Sequence, residues 1–312
     1  MDLFADLRSE CLEYLPYDKG GPDVVAALAA MPTQDLLIWF LNWRNRLVLA
    51  RPRAVEISRE LLANPLYATL RPQIDSIVRE IEAGSPLHAR LSTRVLKGFT
   101  VDKKSTTKNF NRREDLDLLL NDWGVHHLHV SGELIASGPS KGFVKRADEL
   151  LFVIFSHTHA YLIDILSHKV WTDEHIAEVV IRNWPEAGLF YRLNGIAAPE
   201  TAVSSDDRRL LRGAGVATMV QVDGELYFSR CGSLSTAGTS SVTPSRAGQM
   251  LGTVQAAIER FAADPDWLRP HFEAKGDNYP PTPEFNLIMI RNSNGYYLAV
   301  REKQTNVVIP LA

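Results

Sequence analysis

Seven of the nine histidines in this 312-residue chain fall between positions 126 and 175, and three of them sit in the stretch VHHLHVS at 125–131. Histidine is the side chain whose ordinary pKa, about 6.5, lets it both accept and release a proton near neutrality. Beside a phosphate-binding surface, such a cluster can cleave RNA. One imidazole removes the proton of a ribose 2′-hydroxyl, another protonates the leaving 5′-oxygen, and a cation steadies the charged transition state. A strand places alternate residues on one face, so His127 and His129 share a face and His126 joins Leu128 and Val130 on the other. Two imidazoles so placed also suit a divalent metal, with Asp164, His157 or His168 as a third ligand. A third reading gives these residues no chemistry, only hydrogen-bonded polar positions.

A cation source precedes the cluster. Residues 90–113 carry eight basic side chains against the single acid Asp102, with Phe99 and Phe110 between them. Lys103, Lys104, Lys108, Arg112 and Arg113 in the polar run KKSTTKNFNRR can pair with several phosphates while aromatics stack on bases. The structural alternative for this run is a solvated linker. Trp39, Trp43, Arg44 and Arg46 form a second aromatic and basic group, read as core tryptophans with solvated arginines. Two literal motif matches lack their context. GPSKG at 138–142 is followed by a strand rather than a helix, and STTK at 105–108 lies in the basic run. The small-residue stretch RCGSLSTAGTSS at 230–241 reads as a flexible connection, without the lysine or glycine fingerprint of a phosphate loop.

The elements that must hold these residues suggest a mixed α+β protein in four segments. Residues 1–89 read as a helical domain. Pro22 opens a helix, Thr33 caps another, RAVEISRELLANP stops at Asn64-Pro65, and a further helix begins near Pro72 and ends at Gly84. Residues 90–113 form the basic linker. Residues 114–184 read as a histidine-rich α/β unit with a small antiparallel sheet: helix EDLDLLLNDW ended by Gly124, strand HHLHV, strand ELLFVIF, a tight SHTHA turn, strand YLIDILS, and a helix capped by Thr172. Strict alternation would place Leu162, Asp164, Leu166 and His168 on one face. Residues 185–312 read as a C-terminal α+β unit with hairpins at Asp223-Gly224 and Asn294-Gly295, TNVVIP as an added strand, and a helix opened by Thr243-Pro244.

The order of helix, GVHHLHV, Arg146 leading into DELLFVIF, a tight turn, YLIDILSHK and a final helix resembles the strand pattern of the small RelE-type messenger-RNA interferase toxins. The resemblance covers residues 114–184. It implies metal-independent RNA cleavage by basic, histidine or tyrosine side chains, with His129, Arg146, His168 and Lys169 matching the basic residues and Tyr161 contributing.

Together these features lead to the expectation of a nucleic-acid-directed phosphodiesterase, foremost an endoribonuclease. His127, His129 and His168 would do acid/base work and Arg146 and Lys169 would stabilise charge, with no cofactor. The alternatives are a non-enzymatic interaction or regulatory protein that binds a protein partner, and a metal-dependent small-molecule hydrolase with its ion at His127 and His129. The net charge of −3 means that any nucleic-acid contact comes from a local patch. Two distant cysteines exclude a disulfide framework or thiolate zinc module and fit a reducing cytoplasm. The acidic start MDLFADLRSE and the short apolar runs lead to the expectation of a chain without a secretory leader or membrane contact.

Overall fold

The computed structural model describes residues 1–101, 114–167, 174–199, 203–292 and 295–311. The helices are α1 (Leu3–Tyr14), α2 (Pro22–Ala30), α3 (Thr33–Asn45), α4 (Arg59–Ala63), α5 (Pro65–Glu82), α6 (Leu118–Trp123), α7 (His175–Asn183), α8 (Ser205–Gly213), α9 (Val242–Ala263) and α10 (Arg269–Glu273). The strands are β1 (Ala54–Ile57), β2 (Val125–His129), β3 (Glu149–Phe155), β4 (His159–Ser167), β5 (Phe190–Arg192), β6 (Val220–Val222), β7 (Glu225–Ser229), β8 (Phe285–Asn292), β9 (Gly295–Glu302) and β10 (Val308–Pro310). The architecture is mixed α+β, as the sequence indicates. No helix among the described residues is long and apolar enough to cross a membrane.

Two compact units divide the chain: residues 1–41 with 243–312, and residues 42–242. The segments read from the sequence do not coincide with them. Residues 42–89 and 185–242 fall with the histidine-rich sheet, because β1 pairs into that sheet and Val220 and Val222 join its core.

The larger unit is built on a four-stranded sheet in the order β1-β4-β3-β2, with β1 parallel to β4 and the other pairs antiparallel. Both faces are covered. On one, Val125, Leu150, Phe152, Ile154, Tyr161 and Ile163 meet Leu119 and Trp123 of α6 and Ile176, Val179 and Val180 of α7. On the other, Leu128, Leu151, Val153, Leu162 and Ile165 meet Leu61 of α4 and Ile74, Ile77 and Ile81 of α5. A β-bulge between Phe152 and Val153 adds a residue to β4, so Leu162 and Leu166 pack on opposite cores and the strict alternation expected along YLIDILS is broken.

Two local readings of the N-terminal part are corrected. AVEI within RAVEIS is a strand, not a helix: its β-branched residues take hydrogen bonds along β4, and Ser58 then caps α4 by accepting from Leu61 N. Helix α5 also runs through Pro72 instead of starting there. Proline removes one main-chain hydrogen bond, but Tyr67, Ile74, Ile77 and Ile81 lie at helical spacing and bury one continuous stripe, which offsets that loss.

The end of α5 supplies a clear stability prediction. Gly84 has φ +70°, and a Cβ there would stand 2.5 Å from Pro52 N and 2.7 Å from Arg51 C, both backbone. Gly84→Ala should therefore cost at least ~2 kcal/mol, combining left-handed backbone strain with a clash that no rotamer relieves. Urea unfolding would show this as a lower midpoint at unchanged slope.

In the smaller unit, β8, β9 and β10 form an antiparallel sheet in the order β10-β9-β8. The open edge of β8 is closed by α1. Asp6 and Glu10, one helical turn apart, accept from Leu287 N and Met289 N, both at 2.9 Å, so their spacing matches alternate amides of the strand. Glu302 is fully buried and accepts from Glu284 N, Gln304 N, Thr305 N and Thr305 Oγ1 at 2.7–3.1 Å. Burial by itself would raise this carboxyl, but those donors hold it below the usual range. A depressed carboxyl contributes stability that is fully present above its unfolded pKa, about 4.3, and is lost as pH falls through the lower folded value. Glu302→Ala should cost about 3 kcal/mol at neutral pH and less in acid, measured by thermal unfolding across pH.

Candidate acid–base site on the central sheet

Helix α6 ends at Gly124, whose φ of +73° turns the chain directly into β2. A Cβ there would press into Cys231 Sγ, so glycine serves both the turn and the close approach. The faces deduced for β2 are the observed ones. His126 lies on the α5 side, its ring edge-on to Phe155 at 5.5 Å, and burial pushes its pKa down to about 4 although Asp117 pulls the other way. It is a neutral imidazole at physiological pH. His127 and His129 lie on the α6 side with ring centroids 6.4 Å apart, and Asp117, the N-cap of α6, places Oδ2 3.7 Å from His127 Nδ1.

His129 is 3% exposed and the His127 side chain 11%. Both are packed within the sheet face instead of presented on its surface. Among the described residues, no three His, Cys, Asp or Glu side chains gather in a way that could hold a metal ion.

The strongest acid–base geometry lies one register row across the sheet. Phe152 pairs with His127 on one side and with Asp164 on the other. Asp164 is a carboxylate in the otherwise apolar strand β4, its side chain 7% exposed. Its Oδ1 accepts from Asn64 Nδ2 at 2.7 Å and from Ile165 N at 2.8 Å, which fixes the group. Its Oδ2 meets His175 Nε2 at 3.1 Å. A carboxylate oxygen accepts in this contact, so His175 Nε2 carries a proton, and in the neutral imidazole the lone pair is then on Nδ1. The His175 side chain is 39% exposed at the start of α7. A buried carboxylate that sets the tautomer of a solvent-reachable imidazole is the arrangement of a general base with its orienting group.

The other expected residues fall in several places. Arg146 is exposed and donates to Thr93 Oγ1 at 3.2 Å, three positions before β3 begins. Tyr161 is buried at the far end of β4, against Trp184 at 5.1 Å and stacked with His159 at 5.8 Å. His157 lies in the β3–β4 turn and His159 opens β4, and Ser156 Oγ accepts from the amides of Thr158 and His159. His168 and Lys169 lie outside the described residues, as do Lys103, Lys104, Lys108, Arg112, Arg113, STTK and Thr172. The chain on either side of the basic run is held together: Thr100 N donates to Asp115 Oδ2 at 2.8 Å, and Lys97 pairs with Glu114.

Three further readings are settled by packing. GPSKG lies in a turn between the bridged residues Leu134 and Val144, not between a strand and a helix. Trp43 is a core tryptophan whose Nε1 donates to Val95 O at 2.8 Å, but Arg44 and Arg46 are buried instead of solvated, 9% and 4% exposed. Residues 230–241 form a bonded loop rather than a flexible connection. Ser233 Oγ donates to Asp122 Oδ1 at 2.8 Å, Ser235 N to Thr239 O at 2.7 Å, and Asn121 Nδ2 to Gly238 O at 2.8 Å.

The Asp164–His175 pair was not singled out from the sequence as a unit. Its signal is present nonetheless: a lone carboxylate inside YLIDILS has to find a partner, because an unpaired buried charge is costly. Comparison with protein-family models, curated proteins and solved structures gave no match for this chain.

Proposed function

We propose that this protein is a metal-independent phosphodiesterase acting on RNA, with His175 as its general base and Asp164 as the residue that orients it. The observation that carries the reading is the Nε2–Oδ2 contact of 3.1 Å between a half-exposed imidazole and a buried, doubly anchored carboxylate. In the reaction, His175 Nδ1 takes the proton of a ribose 2′-hydroxyl, the 2′-oxygen bonds to phosphorus, and the bond from phosphorus to the 5′-oxygen breaks. The departing 5′-oxygen takes a proton from His168 or Lys169, which precede His175 by seven and six residues in the sequence. The products are a 2′,3′-cyclic phosphate and a 5′-hydroxyl end.

RNA is favoured over small substrates by the basic run at 102–113, which supplies charge for backbone phosphates. The base is His175 and not His127 or His129, since the two β2 imidazoles are enclosed by the sheet face. The test is cleavage of a labelled single-stranded RNA by the full chain in EDTA, with the product ends identified. Cyclic-phosphate ends that disappear in Asp164→Asn support the reading, and intact RNA with the unaltered protein overturns it.

A further inference from the structure

The opposite end of the central sheet carries two buried guanidinium groups beside the β3–β4 turn. Arg53 is 8% exposed and Arg51 is 9% exposed. Arg53 donates from Nε to Ser156 O at 2.9 Å, and from Nη1 to Leu49 O at 3.0 Å and Arg51 O at 3.2 Å. Its guanidinium carbon stands 5.3 Å from the centroid of the Phe155 ring. Every one of these acceptors is a neutral backbone carbonyl. Among the described residues no carboxylate pairs with Arg53, and burial, aided by the like charge of Arg51, pulls its pKa down to about 10.

This is an unusual way to hold a buried cation, because a charge taken out of water is ordinarily matched by an opposite one. The carbonyl bonds do something specific: they fix the plane of the Arg53 fork and leave Nη2 without an acceptor among the described residues. Arg51 contributes a second fixed fork, with Nη1 directed at both His157 Nδ1 and His157 O. Since a guanidinium only donates, His157 Nδ1 is the acceptor and the ring proton sits on Nε2. His157 is exposed, so that N–H is a donor available to a ligand.

We infer that Arg53, Arg51 and His157 form an anion site for a phosphate monoester at the β3–β4 turn, at the other end of β4 from the Asp164–His175 pair. Planar forks held rigid in advance suit the oxygens of a doubly charged phosphate, and a dianion supplies the charge that Arg53 lacks. Two sources share this chemistry, a small free phosphate and the 5′-phosphorylated end of an RNA strand. The site stands independently of the catalytic reading.

The test titrates the full chain with inorganic phosphate at constant ionic strength, following heat and the imidazole resonances. Saturable binding is expected, with a shift of the His157 ring signals that chloride does not reproduce. R53K keeps the charge but loses the fork and should weaken binding about tenfold or more, a loss of ~1.4 kcal/mol per factor of ten. H157Q alters an exposed side chain, leaves the fold intact and should also weaken binding, so it decides the matter should R53K fail to fold. A 5′-phosphorylated trinucleotide that binds more tightly than its 5′-hydroxyl twin identifies a strand end as the ligand. Equal binding of the twins beside saturable phosphate binding identifies a small phosphate, and either result upholds the site. Absence of saturable phosphate binding, or wild-type affinity in folded R53K and H157Q, overturns it.

Discussion

Replacing His175 with alanine is expected to slow RNA cleavage by ~10²–10⁴-fold under single-turnover conditions while leaving the dissociation constant for RNA nearly unchanged. The size follows from the role. A positioned base contributes to the transition state and little to ground-state binding, so the loss appears in the rate. Asp164→Asn tests the same unit from behind. It keeps the side-chain shape, but its amide can present an N–H to His175 Nε2, which favours the tautomer with the proton on Nδ1, the wrong one for a base. The Asn64 and Ile165 contacts to Oδ1 hold the group in place and oppose a simple swing away. Structural damage alone would lower the melting temperature together with activity. Loss of the tautomer lowers activity at nearly full stability, and the two outcomes separate in one melting experiment.

The second large effect concerns folding. Asp122 and Arg212 form an ion pair at 2.6 Å with side chains 1% and 2% exposed, Ser233 Oγ donates to the other carboxylate oxygen, and the guanidinium lies 4.1 Å from the Trp123 ring centroid. Asp122→Ala would take the carboxylate away from a buried guanidinium and remove the acceptor that ties the 230–241 loop to α6. Breaking such a pair from one side costs about 3–5 kcal/mol. Denaturant unfolding of the variant should show that loss, and Asp122→Ala with Arg212→Met should recover part of it, because the second change removes the buried charge itself. A double variant no more stable than Asp122→Ala would mean that the cost lies in the loop contacts and not in the buried cation.

Much of the central unit is legible in the sequence because its signals are local. Gly124 after a helical run, alternating residues in VHHLH, the SHTH turn and the Asp223-Gly224 pair each specify their own backbone. Asp223 and Gly224 take φ of +51° and +80°, the left-handed conformations that a two-residue hairpin requires. What was not legible depends on partners distant in the chain. β1 is a strand because β4, more than a hundred positions later, supplies its hydrogen bonds. The bulge in β4 moves side chains between faces without a glycine or proline to mark it. The residue type of His129 points to chemistry, but both faces of the sheet are covered, and coverage is a property of the packed layers. The Asp164–His175 contact spans eleven positions between a strand and a helix, so no periodic pattern encodes it.

The most direct measurement is the first-order rate of cleavage of one defined RNA in EDTA by the unaltered chain and by His175→Ala, with the new ends characterised. The account predicts 2′,3′-cyclic phosphate ends, no cleavage of the matching DNA, and a rate at least ~10²-fold lower in the variant. RNA left intact by the unaltered chain, or cut equally fast by the variant, would contradict it.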